Sequence, residues 1–223
     1  MGVYTVVSRK KRSLFSSLNV NFSLILLNVF LFILFSVLIG LGVLSLDFVA
    51  IKPSNIFQGK YLWTFITSMF MHAGLFHIFA NMLSLFFVGS FVEKLIGPKR
   101  YFYFYMFAGI FASLFFVLIS FIFQGIEFNV FAVGASGAIF GLVGFLMILV
   151  PNLPVYIMFI PIPVKMKYAA PGILIVLWII SQAGGVPIGN TAHLGGFIFG
   201  IFYALYLRNK YKNKARAISR HFS

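Results

Sequence analysis

The sequence predicts an all-α, polytopic membrane protein: six transmembrane helices packed as one bundle. Three observations carry that reading. The first is composition. Of 223 residues, 61% are hydrophobic and only 9% charged, too few charges to cover a water-facing surface. The second is run length: several apolar stretches reach the roughly 20 residues a helix needs to cross a bilayer. The third is where the charge lies. The net charge is +14, yet the basic residues form no stripe on a folded domain. They gather at the two ends and in short turns between apolar runs, which is the positive-inside pattern, with attraction to anionic headgroups accounting for the remainder. No nucleic-acid-binding module accompanies the charge, so membrane lipids rather than nucleic acid are the expected partners. The chain has no cysteine, which excludes disulfides, thiolate nucleophiles and Cys-ligated metals.

In chain order, residues 1–19 read as a basic cytoplasmic arm carrying Arg9, Lys10, Lys11 and Arg12. The apolar run that follows is too long for a signal peptide and lacks a small-residue cleavage site, so it is read as a retained first span over 20–44. A connection with Asp47, Lys52, Pro53, Gln58 and Lys60 lies partly in the interface. The second span is expected from Thr67 to Glu93 and carries His72, His77 and Asn81. After the basic turn 97–100 comes a third span, Tyr101 to Phe123, then an outside loop whose only charge is Glu127. The fourth span opens at Ser136 and stops at Val150, before Pro151-Asn152-Leu153-Pro154. A proline-broken loop over 151–169 leads to a fifth span at Ala170–Gln182. An uncharged Gly-rich loop covers 183–190, and Thr191 is the expected N-cap of a sixth span ending at Leu207. The membrane domain is thus 20–207, followed by a basic cytoplasmic tail over 208–223, and there is no internal repeat. Six spans place both termini on one side. Fifteen Lys and Arg then fall on the cytoplasmic side and only Lys52 and Lys60 outside, which fixes the expected orientation.

The fourth span is short. Fourteen steps from Ser136 to Val150 make ~21 Å of helix in a hydrocarbon layer ~30 Å thick. Its N-terminus is therefore expected below the outer surface. The count from His193 to Leu207 is the same, so His193 and Ser136 share a depth. His77 and Asn81 bracket that depth in the second span and, four apart, lie on one helix face. Ionisable groups inside a membrane normally face the protein interior or a water-filled cavity. Each residue alone has a plainer reading: a membrane serine bonding its own helix, an interfacial histidine, an asparagine as interhelical glue. Their convergence is what points to a site. Gly137, Gly141 and Gly144 mark one face of the fourth span, and Ala192, Gly196 and Gly200 one face of the sixth. Small residues at this spacing let membrane helices approach closely. If those faces meet, Ser136 and His193 come within hydrogen-bond reach.

These residues, in order, are His72, His77-x-x-x-Asn81, Glu93 with Gly97, Gly134-x-Ser136-Gly137 and Ala192-His193-x-x-Gly196. The set, over roughly Trp63 to Leu207, resembles the rhomboid intramembrane serine proteases. The resemblance implies a minimal six-span rhomboid-like bundle and a serine endopeptidase that cuts transmembrane protein substrates with a Ser136–His193 dyad, without metal or cofactor. Ser136 would be the nucleophile and His193 the general base and acid, with Phe140 stacked on the histidine. His77, Asn81 and the Ser136 N–H would hold the oxyanion, Gly134 would admit the substrate backbone, and Gly137 and Gly196 would let the two helices close. A substrate helix would come in sideways between the second and fifth spans, under a cap formed by 183–190. The expected location is a multi-pass protein of a prokaryotic plasma membrane with both termini cytoplasmic. The chain departs from the family in having Trp63-Thr64 where Trp-Arg is frequent, which leaves the anchoring of the first connection open. Two rival readings are a catalytically silent relative that binds or escorts membrane helices, and a small carrier using His72, His77 and His193.

Overall fold

The structure, a computed structural model, describes residues 19–123, 125–157, 161–184 and 189–222; the expected N-terminal arm and the middle of the expected cap, 185–188, lie outside these. Helix α1 (Val20–Gly40) is apolar on nearly every side and buries only Asn21, Leu24 and Asn28. Its first turn is capped twice. Asn19 Oδ1 accepts from the Phe22 N–H at 2.7 Å. Glu93, from the far end of the second span, accepts from the N–H groups of Val20 and Asn21 at 2.9 and 3.0 Å. The first N–H groups of a helix lack intrahelical partners and favour a negative charge, so a lone carboxylate is stabilised here inside an apolar bundle.

The first connection holds two short helices, α2 (Pro53–Phe57) and α3 (Thr64–Thr67). It is tied down through backbone carbonyls. Trp63 Nε1 donates to the Phe48 carbonyl at 2.9 Å, and Thr67 Oγ1 to that of Val49 at 3.2 Å. Asn55 Nδ2 donates to Asp47 at 2.7 Å. Thr64 is buried and its hydroxyl donates to the Tyr61 carbonyl at 2.7 Å. Phe48, Tyr61 and Trp63 group with ring centroids 5.1 to 5.8 Å apart, the kind of aromatic cluster that settles at headgroup level.

The second span starts later than the sequence predicts. It begins not at Thr67 but at Leu75, and runs to Ile96 as α4 (Leu75–Ser84), a π-helical turn (Leu85–Gly89) and α5 (Ser90–Ile96). His72 is therefore in the non-helical stretch before it. The backbone groups of that stretch are used elsewhere: the Ser68 carbonyl accepts from Gly134 N–H at 2.8 Å, and Ala73 N–H donates to His77 Nδ1 at 3.2 Å. A π turn breaks the regular ladder, and Asn21 Nδ2 donates to the Leu85 carbonyl there at 2.8 Å and to Ser90 Oγ at 2.9 Å. Tyr101, from α6 (Pro98–Phe123), donates to Asn21 Oδ1 at 2.6 Å. One buried asparagine thus joins three spans.

Helix α7 (Ser136–Leu149) has eleven of its fourteen residues buried. It is apolar all round because it is the central helix, enclosed by its neighbours rather than by lipid. The core lies where α7 meets α6 and α9 (Asn190–Lys210), with Tyr105, Leu142, Phe145 and Leu146 almost wholly enclosed. Between α7 and α8 (Met166–Gly184), Pro154–Val155 and Val164–Lys165 pair as a minimal antiparallel hairpin, β1–β2, which the all-α reading had as a loop. Helix α8 begins four residues before the expected Ala170 and retains Pro171 in its second turn. Thr191 does not cap α9. Gly189 stands at the cap position, and Thr191 Oγ1 donates to Glu127 Oε2 at 2.7 Å. The tail beyond is a further helix, α10 (Lys212–His221).

The chain is a polytopic helical membrane protein. Among the described residues, four helices are long and apolar enough to cross a membrane: Val20–Gly40, Leu75–Ile96, Pro98–Phe123 and Met166–Gly184. The shorter apolar α7 and the 21-residue α9 complete the six.

Candidate active site

Three elements bring the polar residues together. Ser136 is the first residue of α7, His193 lies in the first turn of α9, and His77 lies in the first turn of α4. The His193 Nε2 and Ser136 Oγ atoms are 2.7 Å apart. The contact depends on how closely the two helix backbones approach. A Cβ added at Gly196 would collide with the Gly137 carbonyl oxygen, and one at Gly200 with that of Gly141. The small-residue faces seen in the sequence do meet, and no larger residue fits at Gly196 without parting the helices.

His193 is 7% exposed, and its ring stacks on Phe140 with centroids 4.5 Å apart and an interplanar angle of 27°. Its Nδ1 has no hydrogen-bond partner among the described residues. The three acids are engaged elsewhere: Asp47 with Asn55, Glu93 at the start of α1, Glu127 with Thr191. The imidazole is held by packing, without a third carboxylate.

Gly134 has φ +121°, a region that side chains other than glycine's rarely adopt. A Cβ there would lie 2.8 Å from His77 Cε1 and 3.0 Å from Nε2. The His77 edge therefore faces the backbone just before Ser136. Because Ala73 N–H donates to His77 Nδ1, a neutral ring carries its proton on Nε2, the atom nearer Gly134. The Ser136 N–H, at the helix start, has no intrahelical acceptor. Asn81 is oriented differently from the expectation. Its Nδ2 donates to the His77 carbonyl of its own helix at 2.8 Å, and its Oδ1 is buried without a partner among the described residues. One amide hydrogen remains uncommitted.

Two further contacts, from His72 and Glu127, support the site. Ala135 N–H points to His72 Nε2 at 3.4 Å, and the His72 ring lies edge-on to His77 with centroids 5.2 Å apart. His72 thus backs the loop that delivers Ser136. The Glu127–Thr191 hydrogen bond ties the loop before α7 to the start of α9; a single acid in an otherwise uncharged outside loop was its only signal in the sequence.

A model of the Rhomboid domain matches residues 59–210. The chain belongs to the rhomboid family. Among curated rhomboid relatives, it is 36% identical over 154 residues to RHOMBOID-like protein 1 of Arabidopsis thaliana, a match covering 68% of this chain and 36% of the relative. It is 32% identical over 160 residues to Rhomboid protease GluP of Bacillus subtilis (strain 168), covering 70% of this chain and 28% of that protein. It is 35% identical over 144 residues to Inactive RHOMBOID-like protein 8 of Arabidopsis thaliana, covering 63% and 37%. The chain spans less than half the length of these relatives. They come from a plant and a bacterium, so the expected prokaryotic plasma membrane draws no support from them, whereas a membrane-embedded rhomboid does.

Proposed function

We propose that this rhomboid is an intramembrane serine endopeptidase that hydrolyses peptide bonds in or near the transmembrane segments of membrane proteins. The observation that carries the reading is the 2.7 Å contact between His193 Nε2 and Ser136 Oγ at the start of a buried helix. As Ser136 Oγ attacks the substrate carbonyl carbon, His193 Nε2 takes the hydroxyl proton. The oxyanion forms against the Ser136 N–H and His77 Nε2–H, with Asn81 as a third donor once its amide turns toward it. The imidazolium passes its proton to the leaving nitrogen, the C–N bond breaks, and the amine end departs. Water then attacks the acyl-enzyme and gives a proton to His193. That proton returns to Ser136 Oγ as the carboxyl product leaves. With no acid on Nδ1, Phe140 supplies the orientation that a carboxylate gives in three-residue systems.

Substrate would come in from the side. A shallow, open apolar surface along α8, lined by Ile175, Trp178, Ile179, Gln182 and Ala183, supports this. So do Phe76 and Phe79, exposed on α4. The substrate helix must unwind locally, because a helix keeps its carbonyls in hydrogen bonds. Both termini cytoplasmic, with the mouth of the site outside, follows from the charge distribution.

A second reading, a silent relative that binds or escorts membrane helices, is favoured by the 35% identity to a relative named inactive. One experiment decides between them. The purified protein should be labelled by a fluorophosphonate and should cleave a helical membrane substrate, and Ser136→Ala and His193→Ala should each lose both. A folded wild-type protein that neither labels nor cleaves would establish the silent reading.

A further inference from the structure

Helix α9 continues past Leu207 to Lys210, breaks at Tyr211 (φ −125°, ψ 47°) and restarts as α10. At this break lies a shallow, open recess lined by Asn209, Lys210, Tyr211, Lys212, Asn213 and Lys214. Among the described residues its lining is three lysines, two asparagines and a tyrosine, with no acid. Such a lining selects an anion with several acceptor oxygens.

Neighbouring features say which anion. Phe202, Tyr206 and Lys210 follow at intervals of four and so share one face of α9. Phe202 is 65% and Tyr206 53% exposed. Lys210 Nζ donates to the Tyr206 hydroxyl at 2.9 Å, and lies 5.4 and 5.8 Å from the Tyr206 and Tyr211 ring centroids. Toward the tail this strip is apolar, then amphipathic, then cationic. That is the order of acyl chain, interface and phosphate in one leaflet.

Helix α10 extends the same surface. Ala215 is buried, Ile218 packs on the core, and the Phe222 ring lies 5.7 Å from that of Phe91. Lys212, Lys214 and Arg216 remain exposed. Arg100, at the start of α6, donates to the Tyr211 hydroxyl at 3.1 Å, so the basic turn before α6 adjoins the recess. A short amphipathic helix with a docked apolar side and a basic outer side suits the plane of an anionic membrane surface.

We propose that the α9–α10 junction is a binding site for the headgroup of an anionic phospholipid, with its acyl chains laid along Phe202 and Tyr206. The site stands apart from the chemistry proposed for Ser136, and its test needs no protease activity. The full chain in neutral detergent would be mixed with phosphatidylglycerol, phosphatidylcholine or inorganic phosphate, with bound lipid counted by native mass spectrometry and the unfolding midpoint recorded. Phosphatidylglycerol should be retained and should raise the midpoint; phosphatidylcholine and phosphate should do neither. The triple variant Lys210→Gln/Lys212→Gln/Lys214→Gln should bind phosphatidylglycerol at least tenfold more weakly. Should that variant unfold in detergent alone, the pair Lys212→Gln/Lys214→Gln, both on exposed positions, replaces it with the same expectation of weaker binding. Undiminished phosphatidylglycerol binding by a folded variant, equal retention of phosphatidylcholine, or equal protection by phosphate alone would each overturn the proposal.

Discussion

Ser136 and His193 lie 57 residues apart in the chain and 2.7 Å apart in space. A shared depth is expected from the equal counts Ser136–Val150 and His193–Leu207, because rise per residue is nearly constant, although α9 itself continues to Lys210. The side-chain details were not legible in the sequence. Asn81 turns its amide onto the His77 carbonyl, a local bond that competes with longer-range ones and leaves no trace in residue spacing. His72 looked like part of the second span, yet it backs Ala135 from the loop before it. Phe140 offers a test at this scale. Phe140→Ala removes the ring against His193 and leaves a void. The loss of stability should be roughly 2 kcal/mol, below the usual aromatic-to-alanine range because lipid replaces water around the unpacked helices. Activity should fall more than that loss implies, since the imidazole would be free to turn. Thermal unfolding and the turnover number measured on the folded fraction separate the two effects.

At the scale of elements, hydropathy located the spans and misplaced several of their ends. Helix α4 starts at Leu75, and the backbone before it is committed elsewhere: the Ser68 carbonyl accepts from the Gly134 N–H and the Ala73 N–H donates to His77, of which the first is a tertiary partner. Thr191 has the chemistry of a cap but spends its hydroxyl on Glu127. The tail read as merely basic is a helix, since Ala215 and Ile218 find a surface to pack on. Glu93 gives the prediction here. Glu93→Ala leaves the Val20 and Asn21 N–H groups without their acceptor, which should cost about 1–3 kcal/mol. Glu93→Gln, which keeps an acceptor oxygen, should cost less. The ranking is checked by unfolding midpoints in one detergent, with exchange of the α1 amides reporting whether the damage is local.

At the scale of the molecule, the site exists because α7 and α9 are packed backbone to backbone. Gly196→Ala places a methyl against the Gly137 carbonyl, which no rotamer change can avoid. The expected result is overpacking of about 1–3 kcal/mol and at least a tenfold loss of fluorophosphonate labelling as Ser136 and His193 part. Gly172→Ala, with nothing within 4 Å of the new methyl, should lower neither stability nor labelling. Unfolding midpoints and labelling rates of the two variants, measured side by side, test this. The sequence by itself determined a six-helix membrane bundle and its short central helix, and it set the expected orientation and the expected depth of Ser136. Those follow from sums of local quantities: apolar length, charge count and rise per residue. Only the tertiary structure decided which faces meet, that His193 touches Ser136, that Glu93 caps α1 and that the tail folds back as α10. Each of these depends on helix rotation and close approach, which are set by packing among segments far apart in the chain.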